Sequence, residues 1–389
     1  MTSQHKDEAK LNRREFLRTG LLVGTGVVAG PMLNLGRFRL FAEARTDYSA
    51  RAIELVGRSN VIDMLGLLTL DWPRLYSWQR DPEAFTAADF ERLRSSGVNV
   101  FHPAVEPNAP RPHETALQWM SGWNRLLAGC PGCFVRVDAL PDMARAQKER
   151  KLGILLGFQN SEHFRTVEDV ALFHGLGQRV SQLTYNEKNR IGAGCREAQG
   201  GGLTPFGAEI VTAMNRVGMA VDVSHCSERT TLDTLAVSKK PVLVTHSNCR
   251  ALVAHPRSKS DASIRAMAAR GGVMGITAIS AFVRSGGPAS LTNLLDHFDH
   301  VARLVGVEHV GLGSDVDVDA VDPRTSQVRP RYVIRGMRQA RRVFDVTEGL
   351  LRRGYEDRHI ELILGGNFER ALSQIWDTAP AAPPSTPAA

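Results

Sequence analysis

Five titratable side chains stand at or just beyond the ends of short apolar runs: His102, Tyr185, His225, His246 and Asp315. Imidazole, phenol and carboxyl groups are the side chains that ligate metals and carry protons near neutral pH. A single histidine in such a place is usually a satisfied structural residue. Five groups on five run ends instead point to one shared site. Cys226 and Cys249 neighbour two of the histidine segments, but successive residues of a strand face opposite ways, so both read as packing thiols behind the site.

A shared site needs elements that bring distant run ends together. Eight apolar, β-rich runs recur along the chain: 60–65, 98–102, 153–158, 180–185, 220–225, 242–246, 273–278 and 309–313. Helical patterns separate them. Thr204-Pro205 opens one at 206–216, and Ser227 opens another with Glu228 in its first turn. Strands alternating with helices predict parallel βαβ units, and eight of them close most economically into an α/β (β/α)₈ TIM barrel, whose site lies at the C-terminal strand ends. Residues 333–376 read as extra C-terminal helices and residues 377–389, rich in Pro and Ala, as a disordered tail.

The formal net charge of +7 does not mark a nucleic-acid partner. Seven Lys/Arg against four Asp/Glu crowd the first 44 positions, and the remainder carries no basic stripe interleaved with aromatics. Those 44 residues read as an address. Arg13-Arg14 precedes the apolar stretch 20–35, too short for a spanning helix, and Ala42-Glu43-Ala44 is a small-x-small cleavage site. The expectation is a twin-arginine signal peptide over 1–44, periplasmic export, and no stable membrane span once it is removed. Five cysteines are too few for a disulfide scaffold; Cys130-Pro-Gly-Cys133 reads as a local disulfide or two unrelated thiols.

Several motifs fall in one collinear order: Leu183-Thr184-Tyr185-Asn186, Gly202-Leu203-Thr204-Pro205, Val221-Asp222-Val223-Ser224-His225, Val244-Thr245-His246-Ser247-Asn248, His255-Pro256-Arg257, Gly311-Leu312-Gly313-Ser314-Asp315 and Ile363-Leu364-Gly365-Gly366-Asn367. Over roughly 58–376 this order resembles the membrane dipeptidase (renal dipeptidase) family of zinc hydrolases. The resemblance implies two bridged zinc ions hydrolysing the amide of a dipeptide. It assigns His225 and His246 to the second metal, Arg257 to the substrate carboxylate and Asp315 to acid/base work.

The departures lie at the chemical centre. Leu65-Gly66-Leu67 stands where the family has His-x-Asp, Gln159 replaces its bridging glutamate, and Tyr185 replaces its carbonyl-binding histidine as a hydrogen-bond donor. Without those carboxylates, two adjacent dications repel with nothing to offset them. The expectation is therefore at most one zinc ion on His225 and His246, with His102, Glu106, Asp63 and Gln159 as further candidate donors. The reading is an exported hydrolase of small peptides or related amides, compatible with a homodimer. Its alternative is a metal-free descendant that binds a peptide-like ligand.

Overall fold

The computed structural model describes residues 48–107, 110–197 and 200–377, together with the strand Arg37–Phe38. The expected signal segment and C-terminal tail otherwise lie outside the described residues. A ring of parallel strands forms the centre: β1 (Ile62–Asp63), β2 (Val100–Phe101, resuming at Ala104–Val105), β3 (Leu152–Ile154, resuming at Gly157–Phe158), β4 (Val180–Gln182), β5 (Ala220–Asp222), β6 (Val242–Ser247), β7 (Met274–Ile276) and β8 (Val310–Leu312). Each overlaps one of the eight apolar runs, although the second half of β2, Ala104–Val105, lies beyond the run 98–102. Asp63 of β1 pairs with Leu312 of β8 on one side and Phe101 of β2 on the other, which closes the barrel. Helices on the outside and side chains within bury both faces; all six residues of β6 are buried.

Two strands are interrupted, and one histidine explains how they fit. Pro103 has no N–H to continue β2. There the buried His102 bonds through Nδ1 to the Leu155 carbonyl, 2.7 Å away, in the break of β3. Gly157 makes room for the imidazole, since a Cβ there would lie 2.3 Å from Cε1 of His102. An extra strand, Phe134–Arg136, pairs with the first half of β3 and was not expected from the sequence.

The helix starts follow their capping chemistry. The Thr204 hydroxyl accepts from the Gly207 N–H at the head of Pro205–Val217, and Ser227 caps Glu228–Val237 in the same way. C-terminal helices pack on the barrel as expected, and two of them reach β1 or β8. Phe368, on Asn367–Trp376, lies over Gly311 of β8, where a Cβ would meet its ring at 2.5 Å. Arg342, at the start of Arg342–Arg352, passes its guanidinium to Asp63 at the end of β1. No helix among the described residues is long and apolar enough to cross a membrane.

The Asp63–Arg342 pair spans 3.0 Å with both side chains almost fully buried. Asp63 also accepts the Ser314 N–H at 2.7 Å and the Ser314 hydroxyl at 2.5 Å. Removing one partner leaves the other charge uncompensated, which costs on the order of 3–5 kcal/mol. Arg342→Met is thus expected to lower the unfolding free energy by about that amount, and Asp63→Asn added to it to recover much of the loss. Urea denaturation of both variants checks this; equal losses in the single and double variants would contradict it.

Candidate active site

The hydrogen bonds at the ends of β5 and β6 begin at Asp222. One carboxylate oxygen accepts the Ser224 N–H (2.9 Å), the Ser224 hydroxyl (2.5 Å) and the Thr245 N–H (3.1 Å). The other accepts the Thr245 hydroxyl at 2.6 Å. With its proton committed to Asp222, the Thr245 oxygen is an acceptor toward His246 Nδ1, 2.8 Å away. His246 is therefore the Nδ1–H tautomer. His225 Nδ1 likewise donates to the Asn186 side-chain oxygen at 2.9 Å.

Both Nε2 atoms are left unprotonated, and they face one another at 3.0 Å. Burial holds both imidazoles well below the ordinary histidine range, and the nearby Arg257 guanidinium adds to it, so no proton sits between them at neutral pH. Two facing lone pairs repel unless a cation lies between them. The Tyr185 ring stacks on His225 with centroids 4.2 Å apart and fixes the ring plane.

Two cations brace the loops from behind. Arg257 donates to the Ser224 carbonyl at 2.5 Å and the His246 carbonyl at 3.0 Å. Lys259 donates to the carbonyls of Val223 (2.6 Å) and Cys226 (3.0 Å), and burial pushes its amine down to about 8. Both charges are thus spent mostly on backbone oxygens.

Beside the histidines lies a cavity of about 600 Å³ whose lining includes Tyr185, Asp315, Gln159, Glu106 and Arg331. Asp315 has a left-handed backbone (φ 60°), held by its N–H bond to the Leu65 carbonyl at 2.8 Å. Desolvation pushes its carboxyl up to about 7 against the opposing pull of Arg257 and Arg331. A carboxyl poised there can hold or release a proton at neutral pH. Leu67, Leu70 and Ile279 give the cavity one apolar side, with Trp72, Trp119 and Tyr332 around it.

The structure thus brings His225, His246 and Tyr185 together and sets Tyr185, Asp315 and Gln159 around one cavity. It corrects other expectations. Asp63 is committed to Arg342 and Ser314, so it is no free metal donor. Arg257 does not line the cavity; its terminal nitrogens hold the histidine strands, although its buried Nε has no partner. Gln159 donates its amide N–H to the Ala104 carbonyl at 3.2 Å. Among the described residues no group of three or more His, Cys, Asp and Glu side chains that could hold a metal is found, and His102 Nδ1 is bonded to the Leu155 carbonyl. Sequence reasoning missed Arg331, which lies in an irregular stretch without periodicity, and the Asp222–Thr245 relay. The relay did leave a signal, because metal-binding histidines are usually oriented by a hydrogen bond to the second ring nitrogen. All five cysteines are free thiols.

Comparison with known proteins decides the family. The family model described as membrane dipeptidase (peptidase family M19) matches residues 49–385. The chain belongs to the membrane dipeptidase family. A dipeptidase of Claviceps purpurea, tcpJ, is 32% identical over 243 residues, which is 61% of this chain and 54% of the relative, so the match spans about half of that protein's length. A protein of Klebsiella pneumoniae encoded 5′ of pqqA is 27% identical over 278 residues, covering 68% of this chain and 97% of its own. Among solved structures, an amidohydrolase from Pseudomonas aeruginosa aligns with a TM-score of 0.71 at 28% identity, covering 84% of this chain and 99% of that one. Dipeptidase AC, a metallopeptidase, aligns with a TM-score of 0.70 at 19% identity over 82% of this chain and 99% of its own, and shares the fold.

Asp315 gives this membrane dipeptidase relative a measurable pH signature. Its folded pKa of about 7 lies above the unfolded value of about 3.9, so the fold binds a proton that the unfolded chain releases. That contribution is fully present below about pH 4 and is lost as pH rises to about 7. In chelator, Asp315→Asn is expected to gain Tm over the unmodified protein increasingly from pH 4 to pH 7 and evenly above. A gain independent of pH in thermal scans would contradict the assignment.

Proposed function

We propose that the chain is a metal-dependent hydrolase that cleaves the amide bond of dipeptides or related small amides with a single zinc ion. The observation that carries this reading is the meeting of two unprotonated Nε2 atoms at 3.0 Å, each set by a hydrogen bond on the far side of its ring. Two nitrogens on a tetrahedral zinc lie roughly 3.3 Å apart, given Zn–N bonds of about 2.0–2.1 Å, so the pair fits one ion with a slight opening. The opposite position does not fit a second ion. Leu65 is buried, Leu67 packs with Leu70, Ile279 and Tyr332, and Gln159 offers a neutral amide.

A zinc ion held by His225 and His246 would supply Lewis acidity toward a carbonyl oxygen. The chain's own residues do the rest. Water attacks the carbonyl carbon; Asp315, as the carboxylate, takes its proton and passes it to the departing nitrogen as the C–N bond breaks, leaving a carboxylic acid and an amine. The Tyr185 phenol, pushed up to about 12 chiefly by burial, stays protonated and donates toward the carbonyl oxygen. Arg331 stands at the cavity for a substrate carboxylate, the role first expected of Arg257. Export through the twin-arginine signal at Arg13-Arg14 is part of the same proposal. Leu65, Leu67 and Gln159 favour a second reading, a metal-free binder of peptide-like ligands.

Zinc titration of chelated protein with a dipeptide panel separates the two. Hydrolysis is expected to saturate at one equivalent and to fall at least a hundredfold in His246→Ala, the order of loss for a ligand or its support. Leu65→His with Leu67→Asp should not bring a second ion. Two tightly bound equivalents would overturn the mononuclear reading, and dipeptide binding without metal or hydrolysis would establish the second.

A further inference from the structure

The cavity does not end at its aromatic wall. It shares Tyr76, Gln79 and Gln118 with a second space of about 600 Å³ between the helices Trp72–Arg80 and Pro112–Gly129. Ligand pockets of about 300–1,000 Å³ take drug-sized molecules, so the two adjoining spaces together exceed what a dipeptide needs. The annex is lined by Arg80 and Arg125 and by no acidic side chain.

Exposed arginines are by themselves only solvated charges. Neither of these two, however, has an ion pair or side-chain hydrogen bond among the described residues, whereas the helical Arg58, Arg74 and Arg229 are each paired with a carboxylate. Gln79 is the second, independent observation. It is only 5% exposed and lies at the junction of the two spaces, yet its side-chain Nε2 has no hydrogen-bond partner. An unsatisfied buried donor is costly and needs a reason. Gly122 is what lets the amide lie there: a Cβ at that position would stand 2.8 Å from Gln79 Oε1. A glycine inside an 18-residue helix weakens it, so the seat of the Gln79 side chain is kept at a cost.

We propose that the annex is a subsite for an anionic group, a carboxylate or a phosphate, carried by the ligand beyond the amide that faces Tyr185 and Asp315. Its oxygens accept from Gln79 Nε2 at the junction and pair with Arg80 and Arg125. The substrates are then small peptides or amides with an acidic extension rather than bare dipeptides. This rests on the reading of the main cavity as the amide site.

The test is calorimetric binding of Ala-Ala, and of Ala-Ala extended at either end by Glu, Gln or phosphoserine, to the zinc-supplemented full chain at low salt. The acidic extension at one end is expected to bind about five- to tenfold tighter than its Gln counterpart, as two exposed charge contacts allow. The stronger of Glu and phosphoserine identifies the anion. Arg80→Ala with Arg125→Ala should abolish that gain and leave Ala-Ala binding unchanged; both side chains are on the surface, so the fold tolerates their loss. Equal binding of Glu and Gln probes within twofold, or a gain that survives in the double variant, would overturn the proposal. A gain that persists without hydrolysis of any probe would overturn the enzymatic reading and leave the subsite standing.

Discussion

The Asp222 carboxylate, buried and filled by four donors, is the constraint on which the site depends. Because it takes the Thr245 hydroxyl proton, Thr245 can only accept from His246, and the imidazole must turn its lone pair toward His225. Asn186 imposes the same tautomer on His225 from the other side. Arg257 and Lys259 then fix the backbone of both loops by donating to four carbonyls. A pair of facing lone pairs is an unfavourable arrangement in a low-dielectric interior, and it persists because the Nδ1–H of each ring is held by its own hydrogen bond. Such preorganisation is what a cation site requires.

The other half of the barrel mouth shows what happens where that support is missing. Asp63, at the end of β1, has its charge neutralised by Arg342 instead of being turned toward a ligand. Leu65 and Leu67 follow it into apolar packing, and the amide of Gln159 is held by a backbone carbonyl. Leu65, Leu67 and Gln159 themselves bring no carboxylate to that position. Within the cavity, burial holds the Asp315 carboxyl up at about 7.

Much of this was legible in the sequence. The eight apolar runs each hold a barrel strand, because strands buried on both faces read as continuous hydrophobic stretches. The strand ends carried His225, His246, Tyr185 and Asp315 for the same reason: the barrel leaves only those positions open to a ligand. What was not legible depends on contacts across long sequence separations. Asp63 and Arg342 are 279 residues apart, and nothing in either segment announces the pair. Arg257 sits in a motif whose family role faces a substrate, yet its terminal nitrogens hold backbone carbonyls. The annex arises from the packing of two helices around Gly122, which no periodicity reveals.

The most direct test of this account is the tautomeric state of the two histidines. Histidine-selective ¹⁵N spectra of chelated protein at pH 7, assigned with the His225→Ala and His246→Ala variants, should show both rings as neutral Nδ1–H tautomers with unprotonated Nε2. One equivalent of zinc should then shift both Nε2 resonances together. An Nε2–H tautomer at either residue, or an imidazolium shared by the pair, would contradict the account.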